Sequence, residues 1–135
     1  MSHQIIQPEG WKAALGYANG MLSPDGVLFV GGQIGWNADQ IFESQDFIGQ
    51  LEQALLNIRS VVEAAGGVVT DLTRLTWYVT DKKEYLARQR EVGKTYQKVL
   101  GKHFPAMTMV VVADLIENEA LLEIEATAVV ARAVM

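Results

Sequence analysis

The chain has no cysteine among its 135 residues, which excludes disulfides, thiolate metal ligands and a cysteine nucleophile. Histidine is nearly as scarce: His3 and His103 are the only two, and no stretch gathers His, Asp and Glu at ligand spacing on one helix face, so no metal site is expected. No window approaches the roughly 18 apolar residues that a membrane span needs. Met1-Ser2-His3-Gln4 carries no basic stretch leading into an apolar run, so the expected location is cytoplasmic. Basic charge is also short. Eleven Lys and Arg stand against sixteen Asp and Glu, a net charge of -5, and the basic residues are scattered, which leaves phosphate-driven nucleic-acid binding with little electrostatic support. Gly31-Gly32-Gln33 lacks the spacing and the lysine of a phosphate-cradling loop, and no cofactor is expected. Glycine and proline are not enriched and no window is low in complexity, which argues against a disordered or fibrous chain.

Half of the residues are apolar, enough in a chain of this length for one core and too few for two ordinary domains. Residues 1–135 therefore read as a single domain. Gly20 to Gly32 reads as a hairpin: Ser23-Pro24-Asp25-Gly26 places Pro and Gly where a tight turn wants them, and Val27-Leu28-Phe29-Val30 is a buried strand. Phe47, Leu51, Leu55, Ile58, Val62 and Ala65 recur at spacings of three and four, one face of a helix that stops at Gly66-Gly67.

Leu75, Trp77 and Val79 alternate with Arg74, Thr76, Tyr78 and Thr80, the two-residue period of a strand with one buried face. A second helix is expected from Lys83 to Leu100, with Tyr85, Gln89, Val92, Tyr96 and Val99 on one side, Gly93 as a weak point and Gly101 as its stop. Thr108 to Val112 and Leu121 to Val134 are of strand type. In the second, Leu122, Ile124, Ala126, Ala128 and Val130 face one way and Glu123, Glu125 and Thr127 the other. The order is strand, strand, helix, strand, helix, strand, strand, which predicts an α+β fold, a mixed sheet with two helices on one face. The other face would still carry Val, Leu and Thr residues that need a partner, and a closed symmetric oligomer supplies one.

Several short segments carry a resemblance. They are Gly16-Tyr17, Phe29-Val30-Gly31-Gly32-Gln33-Ile34, Glu63-Ala64-Ala65-Gly66, Val79-Thr80-Asp81, Phe104-Pro105-Ala106-Met107-Thr108, and Leu122-Glu123-Ile124-Glu125-Ala126. Over nearly its whole length the chain resembles the Rid/YjgF family of small reactive-imine deaminases. The resemblance implies a chorismate-mutase-like fold and a homotrimer, with small-molecule clefts between neighbouring subunits. It implies, as chemistry, hydrolysis of small enamines or imines derived from amino acids, in which water attacks the C=N carbon and ammonia leaves. Some relatives are also described as endoribonucleases or translation inhibitors; the acidic balance here weighs against that alternative.

Such a reaction needs an anchor for the substrate carboxylate, a group that positions water, and donors for developing charge. The resemblance assigns the water-positioning role to Glu123. A half-buried carboxylate at that place can have a raised pKa and act as acid or base. It assigns ligand contacts to Tyr17, Gly31, Gly32 and Gln33, and to the position of Met107. Deaminating relatives have an arginine where Met107 stands, and an arginine fork gives two charge-assisted hydrogen bonds to a carboxylate. A thioether gives none. Met107 is thus either a flexible apolar filler of a strand or cleft wall, or a residue that selects an apolar ligand. Gly31 stands where many relatives have serine, and Gly16 where a proline is common. Trp36 either covers the sheet edge or joins Met107 and Met109 in an aromatic, apolar cleft. Arg74, Arg88, Arg90 and His103 are expected as surface, interface or loop residues.

Overall fold

The hairpin forms where the sequence places it. The strands Gly20–Leu22 (β2) and Val27–Ile34 (β3) pair antiparallel across a turn closed by the Gly26 amide on the Ser23 carbonyl at 3.0 Å. A computed structural model describes residues 2–131 of the chain. Gln4–Ile6 (β1), a strand the sequence pattern did not indicate, pairs with β2 at the sheet edge. The remaining strands are Leu72–Val79 (β4), Ala106–Val111 (β5) and Leu122–Val129 (β6). The sheet order is β1-β2-β3-β6-β4-β5, and among the described residues only β4 and β5 are parallel. β6 thus lies in the middle, between β3 and β4. The strand expected to run to Val134 ends at Val129, and residues 132–135 lie outside the described residues.

The first helix, Phe47–Ala64 (α1), buries Phe47, Leu51, Ala54, Leu55, Ile58, Val61 and Val62 along one stripe, because spacings of three and four bring these side chains onto one face. It ends in a left-handed residue: Gly66 has φ of 87°, and the Gly67 amide donates to the Val62 carbonyl at 2.9 Å. Leu51, Leu55 and Ile58 meet Leu28, Leu75, Leu122 and Ile124 in the core, all fully buried. Close approach of α1 to the sheet is permitted by Gly35, where a Cβ would come within 2.5 Å of the Gln50 Cβ.

The second helix differs from expectation. It is two helices, Lys82–Ala87 (α2) and Gln89–Leu100 (α3), broken at Arg88, whose φ of -124° and ψ of 27° lie outside the helical region. α2 buries none of its residues, so packing does not hold it in line with α3. The Arg88 guanidinium instead bridges Glu84, Glu91 and Asp46, the residue before α1. Three helices, not two, cover one face of the mixed sheet.

The opposite face is open. It carries Arg74, Thr76 and Tyr78 from β4 and Glu123, Glu125 and Thr127 from β6, with Phe29, Val110 and Val129 exposed among them.

Candidate functional site

The local structure around Glu123 begins with a bulge in β3. Val30 pairs with Ala126 and Gln33 with Ile124, so Gly31 and Gly32 together stand opposite the single residue Glu125. Both lack side chains for spatial reasons. A Cβ on Gly32 would lie 2.7 Å from the Glu123 Cδ, and one on Gly31 would lie 3.1 Å from the Ala18 carbonyl oxygen. The Gly31 amide donates to the Asn19 carbonyl at 2.9 Å.

Gln33 fixes this bulge from below. Its buried amide donates to Asn19 Oδ1 at 3.2 Å and to the Gly31 carbonyl at 3.1 Å, and Asn19 donates in turn to Gln7 Oε1 at 2.9 Å. The Gln33 side chain is therefore committed to structure, and what it can offer a ligand is backbone. The same amide chain holds the loop that carries Tyr17, an exposed side chain.

The Glu123 carboxylate is half-buried between this bulge and β4. Burial raises its pKa above the ordinary value, and the charge of Glu125 raises it further. Glu125 accepts a hydrogen bond from the Tyr78 hydroxyl, and that bond, more than burial, raises the pKa of Tyr78. Tyr78 is the register partner of Glu123 across β4 and β6. Sequence reasoning left it out, although the alternation of β4 already set it on the polar face. The arrangement offers a carboxyl group that exchanges a proton more readily near neutrality than a solvated one, beside a second carboxylate held in place by a phenol.

Met107 is elsewhere. It pairs with Leu75, whose side chain points into the core, whereas Glu123 pairs with Tyr78 on the open face. Paired residues share a face, so Met107 and Glu123 project from opposite sides of one sheet. Met107 lines a groove of about 340 Å³ between β5 and α3, together with Trp77, Tyr96, Phe104 and Met109. Of the expected contacts, the structure gathers Gly31, Gly32 and Gln33 around Glu123 and leaves Met107 outside that group.

Trp36 does not join Met107 and Met109. It packs against Phe42 with ring centroids 6.0 Å apart and lines a different hollow with Glu117 and Glu119. His103 serves the β5 approach: its Nε2 lies 2.8 Å from the Leu72 carbonyl oxygen and its own carbonyl accepts from the Tyr96 hydroxyl. Arg74 is exposed on the open face, lining a hollow there with Glu125 and Thr127.

Comparison with known proteins agrees with this architecture. The family described as Endoribonuclease L-PSP matches residues 9–130. A RutC family protein of Haemophilus influenzae is 31% identical over 129 residues, covering 96% of this chain and 98% of that protein. The crystal structure of the YjgF gene product of E. coli superposes with a TM-score of 0.78 at 34% identity, covering 93% of this chain and 98% of that one. YyfA of Yersinia pestis, of the conserved Rid protein family, superposes with a TM-score of 0.82 at 28% identity, covering 96% and 100%. No described helix is long and apolar enough to cross a membrane. With residues 9–130 matched by the family model and relatives similar over nearly the whole length, this chain belongs to the Endoribonuclease L-PSP family, among the Rid/YjgF proteins.

Proposed function

We propose that this protein, a single domain over residues 1–135, binds a small organic metabolite in clefts between the subunits of a homotrimer and hydrolyses a reactive enamine or imine there. The observation that carries this reading is the Glu123 carboxyl group, half-buried against a glycine whose Cβ would displace it and raised in pKa by burial and by Glu125. A surface carboxylate on a strand needs neither feature.

In the proposed reaction, water adds to the C=N carbon while Glu123 accepts a proton from it and passes a proton to the nitrogen. The resulting carbinolamine then breaks its C–N bond. Glu123 carries the hydroxyl proton to the departing amine, and the products are a carbonyl compound and ammonia. Tyr78 and Glu125 position Glu123 by fixing the charge beside it. Backbone groups of Gly31, Gly32 and Gln33, with Tyr17, line the ligand space.

The opposite orientation of Met107 and Glu123 supports the intersubunit cleft. One ligand can touch both only where the groove side of one copy meets the open face of another. Met107 supplies no charged donor, so two charge-assisted hydrogen bonds of about 1.5–3 kcal/mol each are missing relative to an arginine, which weakens carboxylate binding by roughly two to four orders of magnitude. The substrate is accordingly less anionic than an imino acid. Cleavage of RNA fits less well, because Glu123 and Glu125 would face the phosphates.

N-unsubstituted imines generated in the assay by enzymatic oxidation of primary amines and of amino acids, with semicarbazide as a competing trap, test the proposal. The protein should accelerate ammonia release and lower the semicarbazone yield. Unchanged yield across neutral and carboxylated imines would refute hydrolysis.

A further inference from the structure

The groove beside Met107 has features that the hydrolysis does not use. Three aromatic rings form a ladder along it: Trp77 and Tyr96 have centroids 6.3 Å apart at 19°, and Tyr96 and Phe104 are 5.4 Å apart at 12°. Phe104 and Met107 leave 62% and 43% of their surface exposed, so the ladder ends in an open, unfilled step. Among the described residues, no Asp, Glu, Lys or Arg lines the groove; its polar side chains are Gln89, Gln97, Thr108 and the phenols of Tyr85 and Tyr96, the latter committed to the His103 carbonyl.

A further observation points to an occupant, and another shows room for one. Trp77 belongs to the lining and is 97% buried by its 3% exposure, and its indole Nε1 is a buried donor with no hydrogen-bond partner among the described residues. An unmet buried donor is costly, and native structures seldom keep one without a use. Gly93 sits in the middle of α3, where glycine costs about 1 kcal/mol relative to alanine; a Cβ there would meet nothing within 4 Å. Crowding does not account for its lack of a side chain, and a side chain placed at this lining position has room.

We infer that this groove is the specificity pocket for a neutral, flat aromatic ligand that carries a hydrogen-bond acceptor, with its ring stacked on the Phe104 end of the ladder and its acceptor directed to Trp77 Nε1. The indole nitrogen is closed to solvent, so a ligand reaches it only as lining side chains move; Met109, the register partner of Trp77 on the neighbouring strand, is unbranched and rotates at low cost. Stacking needs ring centroids about 4.5–7 Å apart, the spacing the ladder already has. An anion is disfavoured because no cationic side chain among the described residues lines the groove to balance its charge once water is excluded. The inference rests on the cleft reading only in taking Met107 as a ligand contact.

Equilibrium dialysis of the full chain against quinoline, naphthalene and quinoline-2-carboxylate tests it. Quinoline should bind about tenfold more tightly than naphthalene, the difference expected for one hydrogen bond to a buried donor, and more tightly than its carboxylate. Met107→Arg, on an exposed strand position, should reverse the last preference. Gly93→Leu, which places a side chain in the groove on a position that favours helix, should abolish quinoline binding in a protein that melts no lower than the parent. Trp77→Phe, if folded, should erase the quinoline-to-naphthalene ratio. Equal binding of quinoline and naphthalene, tighter binding of the carboxylate by the parent, or undiminished binding by Gly93→Leu would each overturn the inference. Hydrolysis is read separately as ammonia released from imines, so quinoline binding by a protein that hydrolyses no imine contradicts the proposed reaction and leaves the pocket standing.

Discussion

Glu123 and Gly32 occupy one space between them, since the carboxylate fills the volume that a side chain at residue 32 would need. Gly32→Ala should therefore push the carboxylate out of place while the strand persists. A displacement of about 1 Å at a reacting group costs on the order of 100-fold in rate, and hydrolysis by the alanine variant should fall by roughly that factor with a circular dichroism spectrum like the parent's. The raised pKa of Glu123 has a second consequence. Its folded value lies above the ordinary 4.5, so protonation favours the fold: the contribution is fully present below pH 4.5 and is lost as pH rises through the folded value. Glu123→Gln, neutral throughout, should melt higher than the parent at pH 7, and the gap should close below pH 4.5. Differential scanning calorimetry across that range checks it; a gap that widens in acid would contradict the assigned direction.

At the scale of elements, Gln50 joins what the chain separates. Its amide donates to the carbonyls of Ser44 at 3.1 Å and Glu119 at 2.9 Å, and its oxygen accepts from the Leu121 amide at 2.8 Å. The start of α1 is thereby tied to the loop that leads into β6 and so to Glu123. Gln50→Ala leaves three backbone groups without partners, each worth about 1 kcal/mol or more where water cannot replace the bond, so urea denaturation should show a loss of about 2–4 kcal/mol. Elements differ in how far they can be read from sequence. β6 alternates cleanly because one of its faces is entirely core and the other is not. The break between α2 and α3 has no such local mark, since Arg88 reaches Asp46 across 42 positions of chain. α2 and α3 share a helical period, and only that distant carboxylate and the lack of burial in α2 separate them.

Across the whole molecule, residue types at the site were legible and their relative directions were not. Glu123 on a polar strand face followed from its neighbours, and Met107 from its place after Phe104-Pro105-Ala106. That they face apart depends on both strands pairing with β4, Glu123 through Tyr78 and Met107 through Leu75, and nonlocal register leaves no trace in either segment alone. Of the two places open to Trp36, beside Met107 and Met109 or apart from them, the structure shows the second, where it packs on Phe42. The open face, with Phe29, Val110 and Val129 exposed beside Arg74 and Glu125, is where copies should meet. Light scattering on the eluted protein should give about three times the 14.9 kDa chain mass; a mass equal to that of one chain would remove the intersubunit cleft. The most direct test of the whole account is the rate of ammonia release from a freshly generated neutral imine by the parent protein and by Glu123→Gln. General acid-base catalysis by one carboxyl group is worth about 100- to 10,000-fold, so the variant should lose at least 100-fold while remaining folded; equal rates for the two proteins would contradict the role assigned to Glu123.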